Sequence, residues 1–382
     1  MHTLHKAVFV ILRPLVRLFF WFKFGYTCEK AANLPDHFIV LANHTTDFDP
    51  LFVALGFRQH MYFVASEHVA RWGFAYKLLK FFLAPILRYK GSVASTTVKE
   101  ILTSVRSGHN VALFAEGSRS WDGRTGPILP STGKLVQKAK CGLVTYKITG
   151  GYFTSPRWSE GGTRKGPIHG TPVNVYTAEQ LAAMTPAEVN EAICRDLWED
   201  AYERQLADPK RYKSKHPAQR MENLLFLCPE CGGMDTFRSH GDTVECTACG
   251  MSFRYNEYGM LEDAPMDTVR ALSDWQKAEV TRHAEESTVY TSENGRLVSV
   301  TNSVETPVAE GPVFLSGEAL TCGDTVIPLC DISEMDIHGK HGLVFTAGKT
   351  YYELKPSGNA LKFFLLYQAY AKTGSPLVGA RG

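Results

Sequence analysis

A run of about 18 or more apolar residues, the length a membrane-crossing helix needs, occurs nowhere in this 382-residue sequence. A plain transmembrane span is therefore disfavoured. The apolar stretches near the start, Ala7 to Leu12 and Leu18 to Phe22, are broken by Arg13, Pro14 and Arg17, and no small-residue cleavage site follows them. Secretion is disfavoured too. There is no Gly-x-Ser-x-Gly elbow, which removes the enzyme-borne serine nucleophile of the α/β-hydrolases. Internal repeats and low-complexity tracts are also missing, and with them the solenoid classes.

What is present describes a foldable chain of two or three domains, with 44% apolar and 21% charged residues. The formal charge of +2 conceals a division. Residues 1–220 hold 29 Lys and Arg against 17 Asp and Glu, a balance of +12, and residues 221–382 hold 12 against 22, a balance of −10. The basic part suits an anionic membrane surface or phosphorylated substrates, and the acidic remainder argues against nucleic acid as a partner. At 100° per residue His2, Lys6, Arg13 and Arg17 fall within about 60° of one another on a helix. Residues 1–26 thus read as an amphipathic membrane-interface helix with a broad face of Phe, Leu, Val and Trp21. Four of the nine cysteines form two Cys-x-x-Cys pairs, a metal pattern of reducing compartments. The expected location is the cytoplasmic face of a membrane, peripheral or monotopic.

His37 to Ala42, Met61 to Ala65, Asn110 to Phe114 and Gly142 to Ile148 read as short buried strands separated by helical patterns, the alternation of an α/β domain. Asp208 to Arg220, polar and basic with two prolines, reads as a linker. A four-cysteine insert follows at 222–256, then a region at 266–376 made of one helix and a series of strands with turn signals at Asn294-Gly295, Ser316-Gly317, Cys322-Gly323 and Ala347-Gly348. An apolar helix from Asn359 closes it.

Asn43-His44-Thr45-Thr46-Asp47-Phe48-Asp49-Pro50 directly follows the first of these strands, which places His44 at a strand's carboxyl end. A carboxylate five residues on, across a strand-to-helix turn, reaches the imidazole and fixes its tautomer, so that the other nitrogen accepts a proton. With no serine elbow, the activated hydroxyl belongs to the substrate and no acyl-enzyme is needed.

This segment resembles the His-x4-Asp motif of the glycerolipid acyltransferase family that includes the lysophosphatidic-acid acyltransferases, with Thr46 where serine is usual. Phe114-Ala115-Glu116-Gly117-Ser118-Arg119-Ser120 resembles the family's second block, with Ala115 in place of proline. Gly117 permits a tight turn, and Arg119 offers a planar fork of donors suited to phosphate. The resemblance implies that Asn43, Glu116, Gly117, Ser118 and Arg119 help bind the glycerol-phosphate end of an acceptor, joined by Arg88 of Pro85-Ile86-Leu87-Arg88-Tyr89-Lys90-Gly91. The fourth block falls at Leu143 to Gly151 and lacks its usual proline.

The resemblance covers about residues 1–215, with the acyltransferase domain itself at 27–215, and implies a central mixed sheet flanked by helices. The region at 266–376 resembles a pleckstrin-homology-like domain. The implied catalytic pair is His44 and Asp49, the implied donor acyl-CoA or acyl-carrier protein, and the implied acceptor a lysophospholipid, 1-acylglycerol 3-phosphate first. Other lysophospholipids, an ether lipid or glycerol 3-phosphate are the alternative acceptors, and a zinc-ribbon binding factor or membrane scaffold is the alternative outside enzymes. The stretch from Trp72 to Lys90 reads either as basic membrane-facing surface or as a core helix with snorkelling lysines.

Cys228-Pro-Glu-Cys231 and Cys246-Thr-Ala-Cys249 are separated by 14 residues, with Gly232 and Gly250 directly after each pair. Four thiolates in this spacing satisfy tetrahedral zinc and leave no open position, so a zinc ribbon with a structural metal is expected.

Overall fold

A computed structural model describes residues 2–66, 85–88, 95–301 and 304–372, with 2–10, 66, 88 and 95 described by backbone alone. The chain divides into two compact units, Met1–Arg157 with Gly162–Ser214, and Trp158–Gly161 with Lys215–Gly382. The basic linker of the sequence reading, Asp208 to Arg220, straddles this division.

The described elements of the first unit are α1 (His2–Phe24), β1 (Tyr26–Cys28), β2 (Phe38–Ala42), α2 (Asp49–Gly56), β3 (Met61–Ser66), β4 (Ile86–Arg88), α3 (Ser95–Arg106), β5 (Asn110–Phe114), α4 (Ser131–Ala139), β6 (Gly142–Thr149), α5 (Gly151–Thr154), β7 (Ile168–Tyr176), α6 (Ala178–Ala182), α7 (Pro186–Leu197) and α8 (Ala201–Ala207). The seven strands form one mixed sheet in the order β1-β7-β6-β2-β5-β3-β4. Only β6 and β7 run antiparallel, and β2 lies parallel to both β5 and β6.

All five residues of β2 are buried, because helices cover both faces of the sheet. Period-two alternation sends Phe38, Val40 and Ala42 to one core, with Phe20, Phe24 and Phe52, and sends Ile39 and Leu41 to the other, with Ile101, Val136, Val189 and Ile193. The α7 helix starts cleanly because Thr185 and Glu188 form a reciprocal capping box ahead of Pro186. This is the expected α/β architecture with a central mixed sheet.

Helix α1 is anchored by Phe20 and Phe24, whose rings pack around Phe48 and Phe52. Its other side leaves Ile11, Leu15, Leu18, Phe19, Trp21 and Phe22 more than half exposed. The cationic stripe expected on this helix is not wholly outward: Arg13 turns inward and donates from Nη2 to the Leu55 carbonyl at 2.8 Å. That carbonyl lies in the last turn of α2, where a helix leaves acceptors unpaired. The side chains of His2 and Lys6 lie outside the described residues. No helix among the described residues is long and apolar enough to cross a membrane.

The second unit holds β8 (Phe237–His240), β9 (Thr243–Cys246), β10 (Ser252–Tyr255), β11 (Leu261–Glu262), α9 (Val269–Glu285), β12 (Tyr290–Thr301), β13 (Val304–Leu315), β14 (Ala319–Cys322), β15 (Thr325–Pro328), β16 (Ile332–His338), β17 (Gly342–Ala347), β18 (Thr350–Pro356) and α10 (Ala360–Lys372). Strands β8 to β11 make a small antiparallel sheet, and β12 to β18 a seven-stranded one in the order β15-β14-β13-β12-β18-β17-β16. The expected turn at Asn294-Gly295 is instead an irregularity inside β12, where the register against β13 shifts between Ser292 and Gly295. Ser357 Oγ accepts from the Asn294 amide at 3.2 Å, and the Val313 side chain occupies the space a Gly295 Cβ would need. The Asn-Gly pair thus serves a bulge and a close approach rather than a hairpin.

Candidate functional site

Parallel pairing of β2 with β5 in the register Ala42 to Phe114 brings the two loops that follow them to the same sheet end. His44 leaves β2 and Glu116 leaves β5 at that end, where α/β sheets present their chemistry. The parallel neighbour on the other side, β6, is tied in by Asn43, whose side chain donates to the Ile148 carbonyl at 2.9 Å and accepts from the Ile148 amide at 2.7 Å. Asn43 is almost wholly buried. Its role in the structure is to hold the start of the His44 loop against β6.

His44 Nδ1 lies 2.9 Å from Asp49 Oδ2, with the imidazole 20% exposed and the carboxylate fully buried. Burial of a carboxylate is costly unless its oxygens are satisfied, and here they are. Asp49 Oδ2 accepts from the Thr45 amide at 2.5 Å and the Thr46 amide at 2.9 Å, and Oδ1 accepts from the Thr46 hydroxyl at 2.6 Å. These bonds orient the carboxylate, which in turn orients the imidazole. With Nδ1 on the carboxylate, Nε2 is the nitrogen left to exchange a proton. The Phe114 ring lies parallel to the imidazole, at 4.2 Å between centroids and 17° between planes.

Glu116 faces protein rather than the site. One oxygen accepts from the His44 amide and the other from the Gly126 amide, each at 2.6 Å. Burial of the carboxyl group pushes its pKa up to about 8, against the opposing pull of the Gly126 and His44 amides and with a further push from Asp49 and Asp122. The sign of the linkage follows. A carboxyl with a raised native pKa holds a proton in the folded state that the unfolded chain has lost, so stability falls as pH rises from about 4.5 to about 8, by at most about 1.4 kcal/mol per pH unit. Glu116→Gln is expected to flatten that slope, read as the difference between urea midpoints at pH 5 and pH 8.

Gly117 adopts φ +68° and its amide bonds the Phe114 carbonyl at 3.1 Å, so the block turns back sharply on the strand. Ser118 Oγ accepts from Arg157, whose guanidinium also donates to the Arg119 carbonyl and lies 4.5 Å from the Trp121 ring centroid. Arg119 donates from Nε to the Thr45 carbonyl at 3.1 Å, from Nη1 to Asp47 at 2.8 Å and from Nη2 to the Ser155 carbonyl at 2.5 Å. Two of its five donors thus brace the His44 loop and a third ties it to the end of α5, leaving two that make no bond among the described residues. The Ser120 amide bonds the His44 carbonyl at 3.0 Å. Gly151, just past β6, abuts Thr45 so closely that any Cβ would collide with its hydroxyl.

Arg88 ends β4, but its side chain lies outside the described residues, as do residues 72–84, 89 and 90 of the Trp72 to Lys90 stretch. Sequence reasoning assigned no role to Phe114, Ser120, Gly126 or Arg157. Phe114 and Ser120 did carry a signal, as the first and last residues of the second block, whereas Gly126 and Arg157 carried none.

In the second unit, Cys228, Cys231, Cys246 and Cys249 bring their sulfurs within 4.8 Å of one another. Cys228 to Cys249 and Cys231 to Cys246 are both 3.8 Å apart. A tetrahedron with metal–sulfur bonds of about 2.3 Å has edges of about 3.8 Å, so the four thiols are positioned to hold one metal ion and fill its coordination shell. Burial pushes the Cys228 thiol up to about 12. Burial would raise Cys246 as well, yet the Thr236 hydroxyl and the amides of Cys249 and Ala248 hold it down at about 6. His240 is not among the clustered ligands.

Residues 25–149 match the family described as Acyltransferase. No curated protein matches the chain. Among solved structures, the 1-acyl-sn-glycerophosphate acyltransferase PlsC of Thermotoga maritima is 22% identical, with a TM-score of 0.40 over 50% of this chain and 79% of that one. The N-terminal PH domain of human ARAP2 is 12% identical, with a TM-score of 0.18 over 25% of this chain and 90% of that one.

Proposed function

We propose that this chain, whose residues 25–149 match the acyltransferase family, is an O-acyltransferase that moves a fatty acyl group from acyl-CoA or acyl-carrier protein to the free hydroxyl of a lysophospholipid, 1-acylglycerol 3-phosphate first. The observation that carries this reading is the contact of His44 with a fully buried, fully hydrogen-bonded Asp49 at the carboxyl end of β2. His44 Nε2 takes the proton of the acceptor hydroxyl as its oxygen attacks the thioester carbonyl. Asp49 steadies the imidazolium, the carbon–sulfur bond breaks, and the imidazolium returns its proton to the departing thiolate. General-base catalysis of this kind supplies about 10²–10⁴-fold, and positioning of the two substrates supplies much of the remainder.

The two donors of Arg119 that make no bond among the described residues and the side chain of Arg88 are the groups we assign to the acceptor phosphate. The exposed face of Ile11, Leu15, Leu18, Phe19, Trp21 and Phe22 on α1, together with the basic balance of residues 1–220, supports peripheral association with the cytoplasmic face of an anionic membrane. The four cysteines fit zinc, which would have a purely structural part.

The reading is tested by incubating the purified full chain with labelled acyl-CoA and a panel of lysolipids on anionic vesicles. Transfer to 1-acylglycerol 3-phosphate faster than to lysolipids without a terminal phosphate is expected. Thioester hydrolysis with no lysolipid product would overturn the assignment.

A further inference from the structure

The His44 imidazole is gripped on several sides, and among the described residues one ring contact touches its face. Asp49 meets Nδ1 in the ring plane, while Glu116 and Ser120 hold the backbone amide and carbonyl of the residue. Phe114 covers a face, nearly parallel and 4.2 Å away by centroids. That ring cannot drift, because Phe114 is the last residue of β5, paired in register with Ala42, and packs on the core shared by β2 and α2. An aromatic face carries partial negative charge, so it attracts a cation stacked over it more than a neutral ring.

We propose that Phe114 is a positioning residue for His44, its ring face fixing the plane of the imidazole and favouring the protonated form created when the acceptor hydroxyl gives up its proton. The proposal deepens the general-base assignment and, for its consequence in catalysis, rests on it. Among the described residues, the titratable and charged groups bonded to His44 or to its loop are Asp49 from α2, Glu116 and Arg119 from the turn after β5, and Asp47 within the loop itself. A substitution at Phe114 leaves all four in place, so a change in the titration of His44 isolates the ring face. Removing that face makes the imidazole a weaker base, which lowers the plateau rate and moves the acidic limb of the rate profile to lower pH.

The experiment is an NMR titration of His44 in the full chain, its resonance assigned by loss in His44→Ala, for the wild type, Phe114→Leu and Phe114→Tyr, alongside the pH profile of kcat and of KM. Phe114→Leu is expected to move the His44 titration to lower pH and to lower kcat by about tenfold, with KM unchanged. Phe114→Tyr, which keeps the aromatic face, is expected to preserve both. Should the leucine variant fail to fold, Phe114→Met supplies the same comparison with a flexible side chain of similar volume. An unchanged His44 midpoint in a folded Phe114→Leu or Phe114→Met chain would overturn the proposal whatever the rates. A shifted midpoint in a chain whose wild type transfers no acyl group would sustain the ring-face effect and sink the acyltransferase reading instead.

Discussion

His44→Ala is expected to lower acyl transfer to 1-acylglycerol 3-phosphate by about 10²–10⁴-fold while moving the thermal midpoint by only a few degrees. The two expectations follow from different contacts. The imidazole is partly exposed and contributes one bond to Asp49, whose Oδ2 still accepts from two backbone amides after the ring is gone. The turn therefore survives and only the proton acceptor is lost.

Asp49→Ala should behave oppositely in stability. It strips the buried amides of Thr45 and Thr46 and the Thr46 hydroxyl of their acceptor, at about 1–3 kcal/mol for each buried group left unsatisfied. Differential scanning calorimetry beside the transfer assay separates the two variants. A His44→Ala chain that retains wild-type turnover would refute the assigned base, and an Asp49→Ala chain as stable as the wild type would refute the account of the turn.

If the four-cysteine centre holds the proposed metal, chelating it is expected to produce the largest loss of structure. Binding to such a site contributes about 10–16 kcal/mol in small zinc domains, most of it realised as folding, and the small sheet β8–β11 offers little core to replace it.

The loss should not stop at the ribbon, because two buried side chains of the same unit depend on it. Gln276 of α9, fully buried, accepts from the amides of Phe226 and Leu227 at 2.8 and 3.1 Å and donates to the Leu224 carbonyl at 3.0 Å. Lys362 of α10, also buried, gives its ammonium to Asp235 and to the Thr291 carbonyl. Asp235 is held in turn by its amide bond to the Phe226 carbonyl at 2.7 Å, beside the first cysteine pair. Once the ribbon unfolds, an ammonium is left in an apolar interior without its carboxylate, which is strongly destabilising.

Hydrogen exchange on the full chain, with and without chelator, should show protection falling over residues 222–262 and also over α9 and α10. Lys362→Met, which removes the buried charge, should restore part of the protection of α10. Exchange that rises only within 222–262 would show that the ribbon is an independent module.

The contrast between these two centres shows how far the chain could be read before it folds. The cysteine cluster was legible because each Cys-x-x-Cys knuckle is set by four consecutive residues, and two such knuckles together supply the four ligands of a tetrahedral site. His44 and Asp49 were legible for a similar reason, since five residues across one strand-to-helix turn leave little freedom. The buried strands, and with them the α/β class, followed from continuous apolar runs bounded by turn residues. The Asn294-Gly295 pair misled because a local turn signal says nothing of a Val313 side chain arriving from the next strand. Arg13 misled likewise, because helix periodicity cannot foresee the carbonyl of Leu55, 42 residues away.

By itself the sequence determined the two short-range constellations, the alternation of strand and helix, and the division of charge, all of which depend on neighbours a few residues apart. Tertiary structure alone decided that Glu116 braces the His44 amide across 72 residues, that Asn43 joins Ile148 across 105, and that Phe114 lies under the imidazole. Those contacts are created by the order and register of parallel strands, which the burial of both faces of β2 selects from the chain as a whole.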